Sequence, residues 1–344
     1  MNVILGAFLA VIGGAVNGMF ALPMKLAKKW SWENVWLPFS ALALVIFPYL
    51  VATMGAPRLA AAYSNAEPSS VLTGVIMGIC AYAGSLLFGI SLGLIGNSLA
   101  FSLLVGSMSA VGVLGPMLLF HPEKLVTPGG RWIDLGILLM FAALVVCARA
   151  GNLMGKAKGV DSPQTNRGSV VVKGMLLAIA GGVLSGFLPM GLSMHWADNI
   201  RASAQLFGGA NQITAQNVVL LPVLVGGALP NCLYAAWLLF KNKTHQAYRE
   251  SAEYWLIILL MAVMYTGSTV MWGMSSSPAM LGTLGPSVGW ALFIGGLVVS
   301  SNLGGFATGE WKGAGTKALR LMVCGVLIMV VAATCIGYGN YRLN

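Results

Sequence analysis

The chain has 344 residues, of which 58% are hydrophobic and only 8% are charged. A soluble domain carries about 25% charged residues, so a chain this long has too few charges to cover its surface in water. The composition therefore excludes a soluble globular protein and favours an integral membrane protein. The net charge of +10 does not indicate a nucleic-acid partner, because the basic residues occur in short clusters between apolar runs.

Ten apolar runs are long enough to cross a lipid bilayer, which takes about 20 helical residues. Their approximate ranges are 3–24, 33–54, 71–94, 96–120, 132–149, 174–196, 214–240, 254–276, 284–306 and 319–339. The sequence thus predicts an all-α integral membrane protein with ten transmembrane helices.

The basic residues divide unequally between alternate loops. Fourteen of the 19 lysines and arginines follow the first, fifth, seventh and ninth runs, beginning with Lys25, Lys28 and Lys29. The positive-inside rule places these loops in the cytoplasm, so both termini are expected to face outward. The tryptophans of the basic stretch 25–36 are expected in the interfacial belt.

Segments of the first half recur in the second. "GAFLAVIGGAVNG" (6–18) matches "GMLLAIAGGVLSG" (174–186) at an offset of 168, which places Asn17 opposite Ser185. At an offset of 189, "GNSLAFSLLVG" (96–106) matches "GPSVGWALFIG" (285–295), and "RWIDLGILLM" (131–140) matches "RLMVCGVLIM" (320–329). Three matches in the same order predict an internal repeat.

The repeat divides the chain into five spans in residues 1–150, a cytoplasmic linker at 151–173, and five spans in residues 174–344. Because five is odd, the second copy enters the membrane from the opposite side. The sequence therefore predicts two inverted five-helix repeats, the architecture of secondary transporters whose halves rock around a midplane site.

Four stretches resemble the bacterial L-rhamnose–proton symporter family of the drug/metabolite transporter superfamily. They are "KKWSWE" (28–33), "GGR" (129–131) with "ARAG" (148–151), "KGMLLAIAGGVLSG" (173–186) and "EWKGAG" (310–315). The resemblance implies ten helices in two inverted halves and sugar uptake driven by protons. It also implies a central cavity lined mainly by helices 1–4 and 6–9, with helices 5 and 10 at the periphery.

We therefore predict a secondary active transporter that imports a small sugar by proton symport with alternating access. Thr266, Ser268 and Phe293 stand where the family's pattern differs, so the predicted cargo is L-rhamnose or another deoxy-hexose or related sugar. The same fold also allows an exporter of metabolites or drugs, or a facilitative sugar uniporter. The spans hold no nucleophile motif, paired carboxylates or histidine-rich set, so no enzyme, metal or other cofactor is predicted.

A sugar site needs hydrogen-bond partners for the hydroxyls and an aromatic surface for the apolar ring face. Inside the predicted spans the candidates are Asn17, Tyr82, Asn97, Asn231, Tyr265, Thr266, Ser268, Trp272 and Trp290. The alternative for serine and threonine is hydrogen bonding between helices. The alternative for the tryptophans, above all Trp272 near the end of its span, is anchoring at the membrane interface.

Proton coupling inside a membrane usually requires Asp, Glu or His. Glu33 is the preferred carrier because it belongs to the family motif and lies at the cytoplasmic end of the second span. His195 and Asp198, near the outer end of the sixth span, are the other candidates. The alternative for Glu33 is a salt bridge to Lys28 or Lys29. The sequence leaves the oligomeric state open.

Overall fold

The computed structural model describes residues 2–158, 168–249 and 253–343, apart from the side chains of residues 97–99, 102, 158 and 168. Ten helices in this part are long and apolar enough to cross a membrane, and we number them α1 to α10. They are Val3–Leu26, Trp32–Gly55, Pro68–Ile95, Leu103–Phe120, Pro128–Ala157, Ser169–Gly191, Ala215–Lys241, Tyr254–Ser275, Gly285–Ala307 and Thr316–Leu343. The ten predicted spans are thereby confirmed.

Shorter helices connect the spans. They are Leu59–Ser64, Pro122–Leu125, His195–Leu206, Thr244–Arg249 and Pro278–Leu281. The helix Asn97–Ser109 begins before α4 and forms its first part. Helices are the regular elements throughout the described ranges.

Two of the spans contain a wider, π-helical turn, at Leu42–Ile46 in α2 and at Ala110–Leu114 in α4. A proline follows each turn, Pro48 in α2 and Pro116 in α4. Proline cannot donate a backbone hydrogen bond to the preceding turn, so the helix accommodates it by a local change of winding.

The junction between the halves differs from the predicted linker at 151–173. Helix α5 continues to Ala157 and α6 begins at Ser169, so helix covers most of that range, and residues 159–167 lie outside the described part. Helix α6 ends at Gly191, several residues before the predicted end. His195 and Asp198 therefore belong to the separate helix His195–Leu206, which the sequence reading missed because the apolar run continues through the turn.

Contacts between loops assemble two ends of the bundle. At one end, which we call the basic face, Lys25 pairs with Glu310 and the Trp30 indole donates to the carbonyl of Ala247. These residues lie at the end of α1 and in the loops after α1, α7 and α9.

At the other end, the terminal face, the loops after α2, α6 and α8 meet. The backbone amide of Asn2 donates to the Ala279 carbonyl, and Ser277 donates to the carbonyl of Gln212. The Thr214 hydroxyl donates to the carbonyl of Gly55 at 2.9 Å. Alternate loops thus share a face.

The spans pack in a regular set of pairs. Helix α1 lies against α8 and α9, and α6 lies against α3 and α4. Helix α2 packs on α7, and α5 packs on α10. Exchanging each of the first five helices with its counterpart five places later leaves these neighbour relations unchanged.

Glycine permits the closest of these approaches. A Cβ on Gly14 would overlap the carbonyl oxygen of Phe293, and a Cβ on Gly182 would overlap that of Leu104. The α1–α9 and α6–α4 pairs therefore pack backbone against backbone, as small residues allow in lipid.

Candidate functional site

Two tyrosine hydroxyls meet midway along the bundle. Tyr82 lies near the middle of α3 and Tyr265 near the middle of α8. Their hydroxyl oxygens are 2.6 Å apart, a hydrogen bond in which either can donate. The ring of Tyr82 lies directly on Gly227 of α7, where any Cβ would overlap it. The pair therefore joins α3, α7 and α8 at one point.

Asn17 extends this polar group to α1. Its Nδ2 donates to the Ser268 hydroxyl at 2.8 Å, and that hydroxyl donates to the carbonyl of Tyr265 at 2.7 Å. Ser185 of α6, the counterpart of Asn17 in the sequence repeat, donates from its hydroxyl to the carbonyl of Ala81 in α3 at 3.2 Å. Four predicted site residues, Asn17, Tyr82, Tyr265 and Ser268, are thus brought together.

Aromatic side chains surround the Tyr265 ring. Phe20 of α1 meets it edge-on at 5.2 Å between ring centroids, and Phe39 of α2 meets it at 5.6 Å. Sequence reasoning missed both phenylalanines, because an apolar residue in an apolar run carries no signal of its position.

A second aromatic cluster consists of Trp272, Trp290 and Phe293. The indoles of Trp272 and Trp290 are 4.9 Å apart between centroids, and Phe293 stacks on Trp290 at 5.4 Å. Trp272 is only 1% exposed and Trp290 only 6%, so the interface-anchor alternative for Trp272 is wrong. Both indole nitrogens are buried without a hydrogen-bond partner among the described residues. A buried donor without a partner destabilises the protein, so each of these indole N–H groups is suited to donate a hydrogen bond to a polar ligand.

The two groups lie along one line of α8. Tyr265, Ser268 and Trp272 are three and four residues apart, so they share a face over about 10 Å of helix. Trp290 continues that line to the other half, because an added Cβ on Gly112 of α4 would lie 2.9 Å from its Cδ1. The line thus reaches spans of both halves.

The remaining predicted substrate residues differ in their contacts. The buried Thr266 hydroxyl donates to the carbonyl of Ala43 at 3.1 Å, a bond between α8 and α2 that fits its structural alternative. Asn231 is buried and donates at 3.5 Å to the Gly227 carbonyl beneath Tyr82, and its Oδ1 has no hydrogen-bond partner within the described ranges. The side chain of Asn97 lies outside the described part of the structure.

Glu33 lies at the basic face and is only 4% exposed. Its Oε1 accepts from Asn242 Nδ2 at 2.9 Å and from the Thr244 hydroxyl at 3.0 Å. Ion pairs in the described ranges join other residues, so the alternative salt bridge to Lys28 or Lys29 is not formed. The buried carboxylate therefore accepts hydrogen bonds from two neutral side chains that lie just after the end of α7.

The neighbours of Glu33 grip the same segment. Asn34 Nδ2 donates to the Thr244 carbonyl at 2.9 Å, and Trp30 Nε1 donates to the Ala247 carbonyl at 3.0 Å. Trp30 also meets Tyr248 edge-on at 5.1 Å and is buried. The interfacial-belt expectation is wrong for Trp30, whose hydrogen-bond partner is 217 residues away in sequence.

His195 and Asp198 are exposed at the terminal face, the end of the bundle opposite Glu33. Asp198 forms an ion pair with Arg201, whose Nε donates to Gln216 Oε1 at 3.0 Å. Burial lowers the pKa of Arg201, and Asp198 opposes that shift. A pocket of about 390 Å³ opens here, lined by Arg201, Gln205, Gln212, Pro278 and Ala279.

A signal for the tyrosine pair was present in the sequence. "YAGS" (82–85) in α3 and "YTGS" (265–268) in α8 match at three of four positions. They are counterparts if the halves repeat, so the hydrogen bond joins equivalent residues.

Comparisons with known proteins place the chain among sugar transporters. A family model described as "L-rhamnose-proton symport protein (RhaT)" matches residues 1–341. The chain is 25% identical over 346 residues to an L-rhamnose-proton symporter of Escherichia coli O9:H4 (strain HS), with 97% of each chain covered. It is 26% identical to one of Shigella dysenteriae serotype 1 (strain Sd197), at the same coverage.

A solved protein crystal structure shares the fold. It has 17% sequence identity and a TM-score of 0.50, and the match covers 96% of this chain and 97% of that chain.

Proposed function

The chain belongs to the L-rhamnose-proton symport protein family, and from this premise we propose that it imports a small sugar together with protons by alternating access. The family is one of transporters, so the chain is not an enzyme. The observation that carries the sugar assignment is the line of hydroxyl, amide and indole groups along α8. A sugar presents hydroxyls at its edge and an apolar face, and this line offers partners for both.

The proposed roles follow from the contacts. Asn17, Tyr82, Tyr265 and Ser268 already hydrogen-bond to one another, so a sugar hydroxyl can replace one neutral partner by another at small cost. The edge-to-face rings of Trp272 and Trp290 provide the apolar platform, and their indole nitrogens, which have no hydrogen-bond partner among the described residues, provide donors. L-rhamnose or another deoxy-hexose fits, because a deoxy sugar has the larger apolar surface.

Alternating access requires two halves that move around a common site, and we assign these to the inverted repeats. In support, a Cβ on Gly18 would lie 2.5 Å from the Leu297 carbonyl oxygen, and one on Gly186 would lie 2.9 Å from that of Met108. The glycines differ by 168 in number and the carbonyls by 189, the two offsets of the sequence repeat.

The α5–α10 pair carries the same relation. A Cβ on Gly136 would lie 2.8 Å from the Ala332 carbonyl oxygen, and one on Gly325 would lie 3.3 Å from that of Ala143. Both positions differ by 189, as expected if a two-fold axis passes between these helices.

We place the basic face in the cytoplasm and both termini in the periplasm of the bacterial inner membrane, following the positive-inside rule. Labelling of Lys28→Cys and Glu123→Cys with a membrane-impermeant maleimide in intact cells tests this, since both side chains are exposed. We expect labelling at position 123 and none at position 28 until the cells are opened. The reverse pattern would invert the orientation.

Glu33 is the proposed proton carrier. It is a buried carboxylate in the first turn of a span, where an acidic residue is costly unless it serves a purpose. His195 and Asp198 are exposed outside the spans, so they are less suited to that role.

Uptake into proteoliposomes tests the whole proposal. Radiolabelled L-rhamnose and other deoxy-hexoses are offered with the interior alkaline, and again without a pH gradient. We expect accumulation above the external concentration only with the gradient, and loss of accumulation in Glu33→Gln with facilitated equilibration retained. His195→Gln serves as the matched control and should accumulate sugar normally.

Other outcomes identify the alternatives. Equilibration that ignores the gradient in the unmodified protein would indicate a uniporter. Sugar efflux coupled to proton entry, without uptake, would indicate an exporter. Accumulation that survives Glu33→Gln would remove Glu33 from the coupling role while leaving symport in place.

A further inference from the structure

Each end of the bundle is closed by a set of hydrogen bonds that we call a clamp. In the basic-face clamp, Trp30, Glu33 and Asn34, around the start of α2, hold residues 242–248 after α7. The clamp thus ties Trp30 and the first turn of α2 to the segment that follows α7.

The terminal-face clamp has the same plan with the halves exchanged. The linker between α6 and α7 holds the segment after α2: Ser203 donates to the Ala62 carbonyl at 2.6 Å, and Thr214 donates to the Gly55 carbonyl at 2.9 Å. Tyr63 in that segment donates to the carbonyl of Val218 in the first turns of α7 at 2.7 Å.

The central residue of each clamp occupies a matching sequence position. "ENV" (33–35) opens α2 and "QNV" (216–218) opens α7, so Glu33 corresponds to Gln216. Both side chains are buried, and both use Oε1 as an acceptor. Glu33 accepts from Asn242 and Thr244, whereas Gln216 accepts from Arg201 at 3.0 Å.

The two clamps differ in the chemistry of that acceptor. A carboxylate accepts charge-assisted hydrogen bonds, which are about twice as strong as neutral ones. When Glu33 takes up a proton, its bonds to neutral donors become ordinary ones and that clamp weakens. The carboxamide of Gln216 does not titrate, so the acceptor of the terminal-face clamp has no such response; the carboxylate at this end, Asp198, pairs with Arg201.

The Glu33 carboxylate is stabilised by hydrogen bonds from Asn242 and Thr244 and forms no ion pair among the described residues. Tyr248 lies in the short helix Thr244–Arg249. Burial is the main cause that raises the pKa of Tyr248, and the charge of Glu33 adds to it, so this phenol stays neutral. The other charged or titratable neighbours in sequence are Lys25, Lys28 and Lys29 in the α1–α2 linker and Lys243, His245 and Arg249 in the held segment. None of them pairs with Glu33 in the described ranges. Around Gln216, by contrast, Arg201 is already paired with Asp198.

We infer that Glu33 and Gln216 are equivalent positioning residues that link only one end of the bundle to protons: protonation of Glu33 releases the basic-face clamp, while the acceptor of the terminal-face clamp, Gln216, does not titrate. This inference rests on the proposed function. A proton then favours opening towards the cytoplasm, and its release there restores the clamp. Gln216, which no sequence reasoning singled out, is the residue that keeps the opposite end insensitive to protons.

Two reporter cysteines test the inference without sugar or a gradient. Ala27→Cys lies beneath the basic-face clamp and Ala62→Cys beneath the terminal-face clamp, and both positions are buried. Each is placed in a background whose five native cysteines are replaced by alanine. Maleimide labelling rates of the full chain in detergent are measured from pH 8 down to about pH 4, so that the range reaches the ordinary pKa of a glutamate, about 4.3. Rates are divided by those of an exposed Lys28→Cys reporter, which cancels the pH dependence of the thiol itself.

We expect labelling at position 27 to rise severalfold as the pH falls, and labelling at position 62 to stay constant. Glu33→Gln should make labelling at position 27 high and independent of pH. Gln216→Glu should slow labelling at position 62 at pH 8, because Arg201 then donates to a carboxylate, and should make it rise at low pH. Ala202→Glu, which adds the same charge to an exposed position of the linker outside the Arg201 pocket, should change neither reporter.

A pH-independent rate at position 27 in the unmodified clamp would overturn the inference, as would a rise of equal size at position 62. If Glu33→Gln does not fold, Thr244→Val removes one donor and keeps the carboxylate. It should raise labelling at position 27 at pH 8, and an unchanged rate there would also overturn the inference. Gradient-driven uptake together with flat labelling would leave symport standing and reject the clamp; pH-dependent labelling without uptake would do the reverse.

Discussion

The centre of the bundle and the α5–α10 pair are both packed through glycine, yet they differ in what lies beside the glycines. In the α5–α10 pair, Gly136 and Gly325 face backbone atoms and the apolar side chains of Ile336 and Cys147. The outer surfaces carry exposed apolar residues such as Leu138 and Leu327. In the centre, Gly14 is three residues from Asn17, which hydrogen-bonds to Ser268.

The difference separates a fixed joint from a movable one. Close apolar packing has no partner to exchange, so it holds two helices in one arrangement. Hydroxyls and amides that satisfy one another can exchange their partners for those of a sugar. The comparison therefore predicts that substitutions in the α5–α10 pair change stability, whereas polar substitutions in the centre change transport.

The largest effect on folding is expected where the backbones of α1 and α9, and those of α6 and α4, pack against each other at a glycine. In Gly14→Val the side chain would overlap the Phe293 carbonyl, a backbone atom that cannot move aside, so folded protein should be lost. Gly182→Val should behave alike against Leu104. Size-exclusion chromatography of a fluorescent fusion measures this, with Gly106→Val, which meets open space, as the tolerated control.

The tyrosine pair should affect transport strongly. Tyr265→Phe removes one hydroxyl of the proposed sugar site and leaves the Tyr82 hydroxyl without its partner, which costs about 1–3 kcal/mol of stability, and we expect uptake to fall about tenfold. Tyr82→Phe should match it, and the double variant should lose much less than the product of the two, because the second change removes the orphaned hydroxyl. Initial rates of sugar uptake measure this, with the exposed Tyr49→Phe as control.

Independent, multiplicative losses in the double variant would show that the two hydroxyls do not act as a unit. That result would remove the tyrosine pair from the movable part of the comparison.

The α5–α10 pair should give the converse result. A Cβ in Gly325→Ala would lie 2.5 Å from Cys147 Sγ, so we expect a loss of about 1–3 kcal/mol in stability with KM for the sugar unchanged. Melting temperature in detergent and uptake kinetics are measured together. Gly337→Ala, which meets nothing within 4 Å among the described residues, should leave KM unchanged and should not lower the melting temperature, because alanine favours the helix. A raised KM at normal melting temperature would contradict the division into fixed and movable regions.

The smallest effect is expected at the surface. Lys25 and Glu310 form an ion pair with both side chains about half exposed, and such pairs contribute about 0–1 kcal/mol. Lys25→Ala should therefore change the free energy of unfolding by less than about 1 kcal/mol and leave uptake unaltered. A large loss of stability would show that the basic face depends on this pair as well as on its clamp.

Much of the candidate site could be predicted because polar residues are rare within apolar spans. Asn17, Tyr82, Tyr265 and Ser268 stand out for that reason, and they do come together. Phe20, Phe39 and Gln216 could not be singled out, since nothing local distinguishes them from their neighbours. The contacts of Trp30 and Glu33 lie more than 200 residues away, so the sequence reading assigned Trp30 to the membrane interface instead.

The sequence by itself determined the ten spans and the family, because crossing lipid demands long apolar helices and because motifs such as "KKWSWE" are local. Only the tertiary structure decided which polar groups satisfy one another, since a buried donor takes whichever acceptor packing brings within about 3 Å. It is the same packing that places a titratable acceptor in the clamp at one end of the bundle and a neutral one in the clamp at the other.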